Sequence, residues 1–302
     1  MIPPVGREKH VSTHLDEKLP EAIVAREDAG RLARELAAAR RAARMSRLLP
    51  IVQRVLEAAP IRGKGRIADR LLAGKQVEVA CHPLPALTIH LDPKQRIERR
   101  MWAGAYERDL VNALKSFLKP GMVFVDLGAN IGYFSAIAAA LVGPEGRVFA
   151  FEPSAALSNR LQRNLAAFQH ASVCDFAVSD TNGPVALYLH PEESGWASLF
   201  PDRDLRASAR VISVRLDDWV QGLGLERIDL MKLDIEGGEY AALLGARSLL
   251  RRFRPAIFAE LNSVCLARSK RTPDEVLRLL SDAGYTCRRG EDSVFAIAER
   301  HT

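Results

Sequence analysis

"FVDLGANIGYF", residues 124–134, decides the fold. An apolar strand ends in an acid, Asp126; a glycine-bearing turn follows, and a helix begins. A turn of this kind commonly receives a nucleotide. A dinucleotide fingerprint wants G-x-G-x-x-G, whose second glycine admits the pyrophosphate to the backbone. Counting from Gly128, that place holds Asn130, and the closing glycine is missing near Tyr133. The acid before the turn puts negative charge beside the ligand. The stretch therefore suits a cationic or zwitterionic ligand better than a phosphate. Gly128 and Gly132 also have a purely structural reading, as makers of a tight strand–helix turn.

Outward from this turn, helix and strand alternate from Tyr106 onward. A helix near Asp109–Leu118 leads in. Further strands are expected at 146–152, 171–178, 227–235 and 255–261, and helices at 131–142, 154–168, 239–253 and 272–284. Ser154 is a candidate N-cap, and Asp274 and Glu275 suit a capped first turn. Residues 179–210 interrupt the alternation with turns and a short strand, "PVALYLH". "RVISVR" reads as a strand and "LDDWVQGL" as a short helix. "YTCRR" and "SVFAIAER" close the chain as a hairpin. The pattern predicts an α/β fold, a doubly wound, mostly parallel sheet with a C-terminal antiparallel hairpin.

Before it, residues 1–20 lack a period, and residues 21–49 read as an Ala/Arg/Leu-rich helix that Pro50 ends. Ile51, Val52, Val55 and Leu56 form the apolar side of a second helix. "PIRGKGR" reads as a basic turn. "QVEVAC" and "ALTIHLD" read as a small hairpin that must pack on the larger domain. The expected divisions are 1–49 (N-terminal helical extension), 50–104 (lead-in) and 105–302.

Charge is uneven. Residues 1–100 carry 20 Lys and Arg against 12 Asp and Glu, and the remainder 23 against 25. The basic N-terminal helices admit peripheral contact with a membrane or partner, beside the plainer reading of a solvated helical face. No apolar run reaches a membrane span, and no secretory leader is evident. Cys81, Cys174, Cys265 and Cys287 form no Cys-x-x-Cys pair and suit reduced thiols in a cytoplasmic protein. The histidines show no metal-ligand spacing.

Ligands in such sheets sit at the carboxyl ends of the strands. Glu152, 20 residues after Gly132, suits the hydroxyls of a ribose, or caps the next helix. At the end of strand three, Asp175, Phe176 and Ala177 are candidates for an adenine pocket. Strand alternation puts Lys232, Asp234 and Glu236 on one side. Such a charged triplet is costly unless paired internally or facing a cleft. Gly237 and Gly238 would let the chain pass close to a ligand. Glu260 and Asn262 end the next strand.

"YE" at 106–107, "KPGMVFVDLGANIGYFS", "GRVFAFEP", "RLDDWV", "IDLMKLDIEGGE" and "RPAIFAELN", in this order, resemble the FkbM-type family of S-adenosylmethionine-dependent methyltransferases. The resemblance covers roughly Tyr106 to Asn262. It implies a class I methyltransferase (Rossmann-like) fold, S-adenosyl-L-methionine as cofactor, and O-methylation of a hydroxyl on a sugar, glycan or secondary metabolite. The helix at 21–49 lies outside it and inherits no role. On the cofactor side stand Tyr106, Glu107, Asp126, Gly128, Asn130, Gly132, Glu152, Asp175, Phe176 and Ala177. Asp126 would receive the ammonium of the methionine end, directly or through water, and amides at 128–132 its carboxylate. Asp234 and Glu236 are candidate bases for the acceptor hydroxyl, with Glu260 third and Lys232 orienting them. Trp196, Ser198 and Asn262 are candidates for the acceptor side, and "HPEESGWASLF" is expected over the strand ends.

The acids after strands four and five also resemble the magnesium site of catechol-type O-methyltransferases, so a divalent ion is a further option. Nucleic acid is not expected as substrate, since "DIEGG" stands where base-methylating enzymes carry other motifs. Two rivals remain: an NAD-dependent oxidoreductase, and a module that binds a partner or membrane through the basic helices.

Overall fold

A computed structural model describes residues 48–56, 62–75, 78–84, 86–190, 197–290 and 292–298. The helix expected at 21–49 lies outside them except for its last two residues. Residues 48–56 are helical through Pro50, so the expected break at this proline does not occur among the described residues. The expected apolar side is corrected: Ile51 and Val55 are exposed, whereas Leu49 and Leu56 are buried. Leu56–Thr302 forms one compact unit.

This unit opens with a helix that was read as part of a turn, α1 (Lys64–Leu72). The expected hairpin follows as β1 (Val79–Cys81) and β2 (Ile89–Leu91), paired antiparallel. It docks on the larger domain through Asn164, whose Oδ1 accepts the His90 N–H at 2.9 Å. A second helix that the periodicity did not reveal is α2 (Arg96–Trp102). Its Glu98 takes both Arg160 guanidinium nitrogens, at 2.7 and 2.6 Å. Its Arg99 pairs with Asp69 of α1 at 2.7 Å.

The alternating region gives α3 (Arg108–Phe117), β3 (Val123–Leu127), α4 (Tyr133–Val142), β4 (Arg147–Phe151), α5 (Ala155–Leu165) and β5 (Ala171–Cys174). The strand expected at 171–178 is broken, and its tail, β6 (Ala177–Val178), joins a second sheet. That sheet runs β6-β9-β7-β8, with β7 (Gly183–Leu189), β8 (Ala197–Ser198) and β9 (Arg206–Val214). Then come α6 (Leu216–Gln221) and β10 (Leu230–Leu233). The single helix expected at 239–253 is two, α7 (Glu239–Leu244) and α8 (Arg247–Phe253). They part at Gly245, where a Cβ would stand 2.2 Å from the Ser179 carbonyl oxygen. The chain ends with β11 (Ala256–Glu260), α9 (Ser263–Arg268), α10 (Pro273–Asp282), β12 (Tyr285–Arg289) and β13 (Ser293–Ala298). Thr272 and Glu275 close a capping box at α10.

The main sheet has the order β12-β13-β11-β10-β3-β4-β5. Only β13 runs against the others, paired antiparallel with both β11 and β12. The chain reverses direction in sheet order between β3 and β10, which opens a crevice at their carboxyl ends. Wholly buried β3 and β10 bring Asp126 level with Lys232, and Leu127 level with Leu233.

Candidate functional site

A cavity of about 350 Å³ opens at that crevice. Its wall includes Gly128 and Asn130 of the first turn, Glu152 after β4, and Phe176 and Ala177 beyond β5. Lys232, Asp234, Glu236 and Glu260 come from the ends of β10 and β11. Tyr106 and Glu107 close the side next to α3, and Ser198 comes from β8. The structure thus gathers twelve of the residues singled out from sequence around one space. Trp196 lies outside the described residues.

Four others do not line it. Asp126 is fully buried. Its Oδ2 accepts the Ser135 hydroxyl at 2.6 Å, and its Oδ1 lies 3.2 Å from Lys232 Nζ. Both oxygens already have a partner within the protein and the side chain is fully buried, which corrects the expectation that Asp126 receives a ligand ammonium directly. Gly132 is a left-handed N-cap of α4 (φ 87°), with Leu161 where a Cβ would go. Asp175 is exposed, and its carboxylate accepts the Ser158 hydroxyl. Asn262 caps α9, its side chain accepting the N–H groups of Val264 and Cys265.

The first turn has spent its amides. Gly128 and Ala129 N–H donate to the Phe151 carbonyl at 3.1 and 2.9 Å, and Gly132 N–H to Ala129 at 2.8 Å. Asn130 N–H donates to Glu152 Oε2 at 3.0 Å, and Ile131 N–H to the Asn130 side chain at 2.7 Å. Asn130 adopts φ 53°, a conformation asparagine tolerates better than most residues. The expectation that these amides hold a ligand carboxylate is therefore corrected. For the same reason the turn offers no cradle for a pyrophosphate, which needs amides pointing at it.

Glu152 also accepts the Ser154 N–H at 2.9 Å. Burial pushes its carboxyl up to about 7, against the pull of these two amides. Each of its oxygens keeps a second lone pair, and the residue borders the cavity.

Lys232 is 2% exposed and lies 3.2 Å from Asp126, 3.3 Å from Asp234 and 3.3 Å from the Gly128 carbonyl. Burial disfavours its charge, but Asp126 and Asp234 more than offset this and hold its pKa above the usual lysine value. Asp234 reaches the cavity, its side chain 25% exposed. Glu260 hydrogen-bonds Asp234, and burial, followed by the Asp234 charge, raises its pKa well above the carboxylate range. Burial and Asp234 likewise raise Glu107 and Glu236. Glu236 sits at φ 52°, accepts the Cys265 thiol at 2.9 Å and lies 3.7 Å from Arg268. The Ser198 hydroxyl donates to the Glu236 carbonyl at 2.8 Å, tying the second sheet to this turn.

Of the turn's two glycines, Gly238 borders the cavity, whereas Gly237 serves packing. At Gly237 (φ 102°) a Cβ would stand 2.2 Å from the Cys265 carbonyl oxygen, so it is α9, not a ligand, that demands glycine. Sequence reasoning passed over Glu239, which shapes this turn by accepting the N–H groups of Ile235 and Gly237 at 3.1 Å. Burial pushes its carboxyl up to about 7. It also passed over Arg96 and Arg100 of α2, both in the wall. Their i, i+4 spacing was the available signal.

Among the described residues no group of three or more His, Cys, Asp or Glu is arranged to hold a metal ion. None of their helices is long and apolar enough to cross a membrane. All four cysteines are free thiols.

The strand order, the single reversed strand and the cavity at the switch point define a class I methyltransferase fold. Residues 126–287 match the methyltransferase FkbM domain, more than half of the chain. The chain belongs to this FkbM-type family of S-adenosylmethionine-dependent methyltransferases. It is 33% identical over 165 residues to the AMB antimetabolite synthetase AmbE of Pseudomonas aeruginosa, 42% of this chain and 8% of that protein. It is 30% identical to the 2-O-methyltransferase NoeI of Sinorhizobium fredii, over 49% of this chain and 65% of NoeI. With the 31-O-demethyl-FK506 methyltransferase FkbM of Streptomyces tacrolimicus it shares 29% identity, over 61% of this chain and 80% of the relative. The chain thus spans a small part of the synthetase and just under two thirds of NoeI.

Proposed function

We propose that this chain transfers a methyl group from S-adenosylmethionine to a hydroxyl of a sugar, glycan or secondary metabolite. One observation carries the reading: Asp234, held between Lys232 and Glu260, faces the same cavity as Glu152. The cavity's residues fit the cofactor. Glu152 has lone pairs to spare for two ribose hydroxyls, and the half-buried Phe176 offers a face to an adenine. The spent amides of the first turn suit a donor without phosphate and weigh against the NAD reading. The printed activities of NoeI and of the Streptomyces enzyme, both O-methyl transfers, support oxygen as the acceptor atom.

S-adenosylmethionine, when bound, supplies a methyl group already activated on a sulfonium. The protein's part is to position the acceptor, exclude water and take the hydroxyl proton. Glu260, its pKa raised, keeps its proton at neutral pH and points it at Asp234 as a hydrogen-bond donor. Lys232 holds the Asp234 carboxylate in place from 3.3 Å. Asp234 then accepts the acceptor's proton. Glu236, turned to Cys265 and Arg268, shapes the turn and is the weaker candidate.

The test is calorimetric titration of the full chain with S-adenosylhomocysteine and NAD, followed by turnover on a panel of hydroxylated sugars and polyketides. The expected result is binding of the first ligand only. Asp234→Asn should then lower turnover by roughly 10²-fold or more while binding holds. Tight NAD binding without the nucleoside would sink the proposal, and an active Asp234→Asn would remove Asp234 as the base.

A further inference from the structure

A donor with an amino-acid end brings a carboxylate and an ammonium, and the turn that was expected to hold the carboxylate has no amide left for it. Cationic side chains of the cavity wall are the groups best suited to meet it instead. The cations in the described cavity wall are Arg96, Arg100 and Lys232. Lys232 is already divided among Asp126, Asp234 and the Gly128 carbonyl. Arg96 and Arg100 remain, one turn apart on the same face of α2.

The helix that carries them is fixed. Glu98 clamps it to α5 through Arg160, and Arg99 clamps it to α1 through Asp69. Arg100 itself lies against α1: its Nε and Cγ are 3.5 and 3.7 Å from where a Cβ on Gly65 would stand. Its charge acts on the carboxylate of Glu107, which borders the same cavity. An arginine and a glutamate in the wall of one cavity form a complement to a zwitterion.

We infer that Arg100, with Arg96 one turn away, binds the carboxylate of the cofactor's methionine end, and that Glu107 faces its ammonium. This rests on the proposal that the cavity takes S-adenosylmethionine. It transfers to the α2 side of the cavity the role expected of Asp126 and the turn amides. An arginine is suited to it, since its fork of donors matches a carboxylate in two parallel hydrogen bonds.

The test compares S-adenosylmethionine with its decarboxylated counterpart, by calorimetry on the full chain. The wild type should prefer the carboxylated ligand by roughly tenfold or more, the weight of one charge-assisted hydrogen-bonded pair. Arg100→Ala should lose most of that preference by weakening S-adenosylmethionine alone, with the decarboxylated ligand unchanged within about twofold. Arg100→Lys should retain part of it. Equal weakening of both ligands, or an undiminished preference, overturns the inference while the cofactor assignment stands. A wild type that binds neither ligand overturns both. Arg100→Gln carries the same expectation where Arg100→Ala does not fold.

Discussion

Two turns lie side by side at the carboxyl end of the sheet, residues 128–132 after β3 and residues 234–238 after β10. Both contain glycines forced by a neighbouring backbone: a Cβ on Gly128 would stand 1.9 Å from the Asp234 carbonyl oxygen, and one on Gly237 2.2 Å from that of Cys265. Both are laced by amides donating to a glutamate, Glu152 in one and Glu239 in the other. They differ in the charge left over. The one acid before the first turn, Asp126, is paired with Lys232 and hydrogen-bonded by Ser135. Around the second, Asp234, paired with Lys232 and hydrogen-bonded to Glu260, still reaches the cavity, and Glu236 turns aside to Arg268. Glycine in such turns reports how close two backbones pass. Surplus acid that folding leaves unneutralised reports the chemistry.

The largest effect should come from the residue that serves both turns. Lys232→Ala leaves Asp126 buried without its partner and should cost about 3–5 kcal/mol, read as unfolding in urea. A loss below 1 kcal/mol would mean that the two turns do not depend on that ion pair. Next, Gly128→Ala and Gly237→Ala should each cost about 2–4 kcal/mol, since φ values of 78° and 102° add strain to the clash. Gly222→Ala, with open space around its Cβ and no positive φ, should stay within about 0.5 kcal/mol. Unequal effects at the two turns would separate what the comparison joins.

A third expectation concerns pH. Glu152 and Glu239 have folded pKa values of about 7, above the ordinary 4.5. A carboxyl raised by folding binds more protons in the native state, so its contribution to stability falls as pH climbs from about 4.5 to about 7 and is level above. The melting temperature without ligand should drop on the order of a few degrees between pH 5 and pH 8. Glu152→Gln should flatten part of that slope, and an unchanged slope would deny Glu152 its burial cost. The smallest effect is Asn262→Ala, which should cost about 1 kcal/mol as a lost helix cap and leave kcat/KM unchanged. A fall in kcat/KM would return Asn262 to the acceptor side.

Much of this was legible in the sequence because it is periodic. The parallel strands, the hairpin at 285–298 and the capped first turn of the helix at 272–284 follow from alternation and cap chemistry. The break at Gly245 did not follow, since its cause is the Ser179 carbonyl, about 66 positions earlier in a different sheet neighbourhood. Helices α1 and α2 were missed because they are short and arginine-rich, and their apolar faces become evident only against each other and, for α2, against the β1–β2 hairpin. At the site, residue types at strand ends pointed to the right crevice. They did not tell lining from support. Asp126 and Asp234 both carry a carboxylate beside Lys232, and only depth separates the buried one from the one that reaches the cavity.

The Phe151 carbonyl, which accepts the amides of both Gly128 and Ala129, has a consequence for how this protein will respond to mutagenesis. The oxygen belongs to the main chain, so no substitution at position 151 removes it. An alanine scan would record the anchoring of the whole first turn as if it did not exist, and would credit the effect to the glycines alone. Replacing the 128 or 129 amide by an ester, which deletes one donor and spares every side chain, is the perturbation that would make that anchor visible.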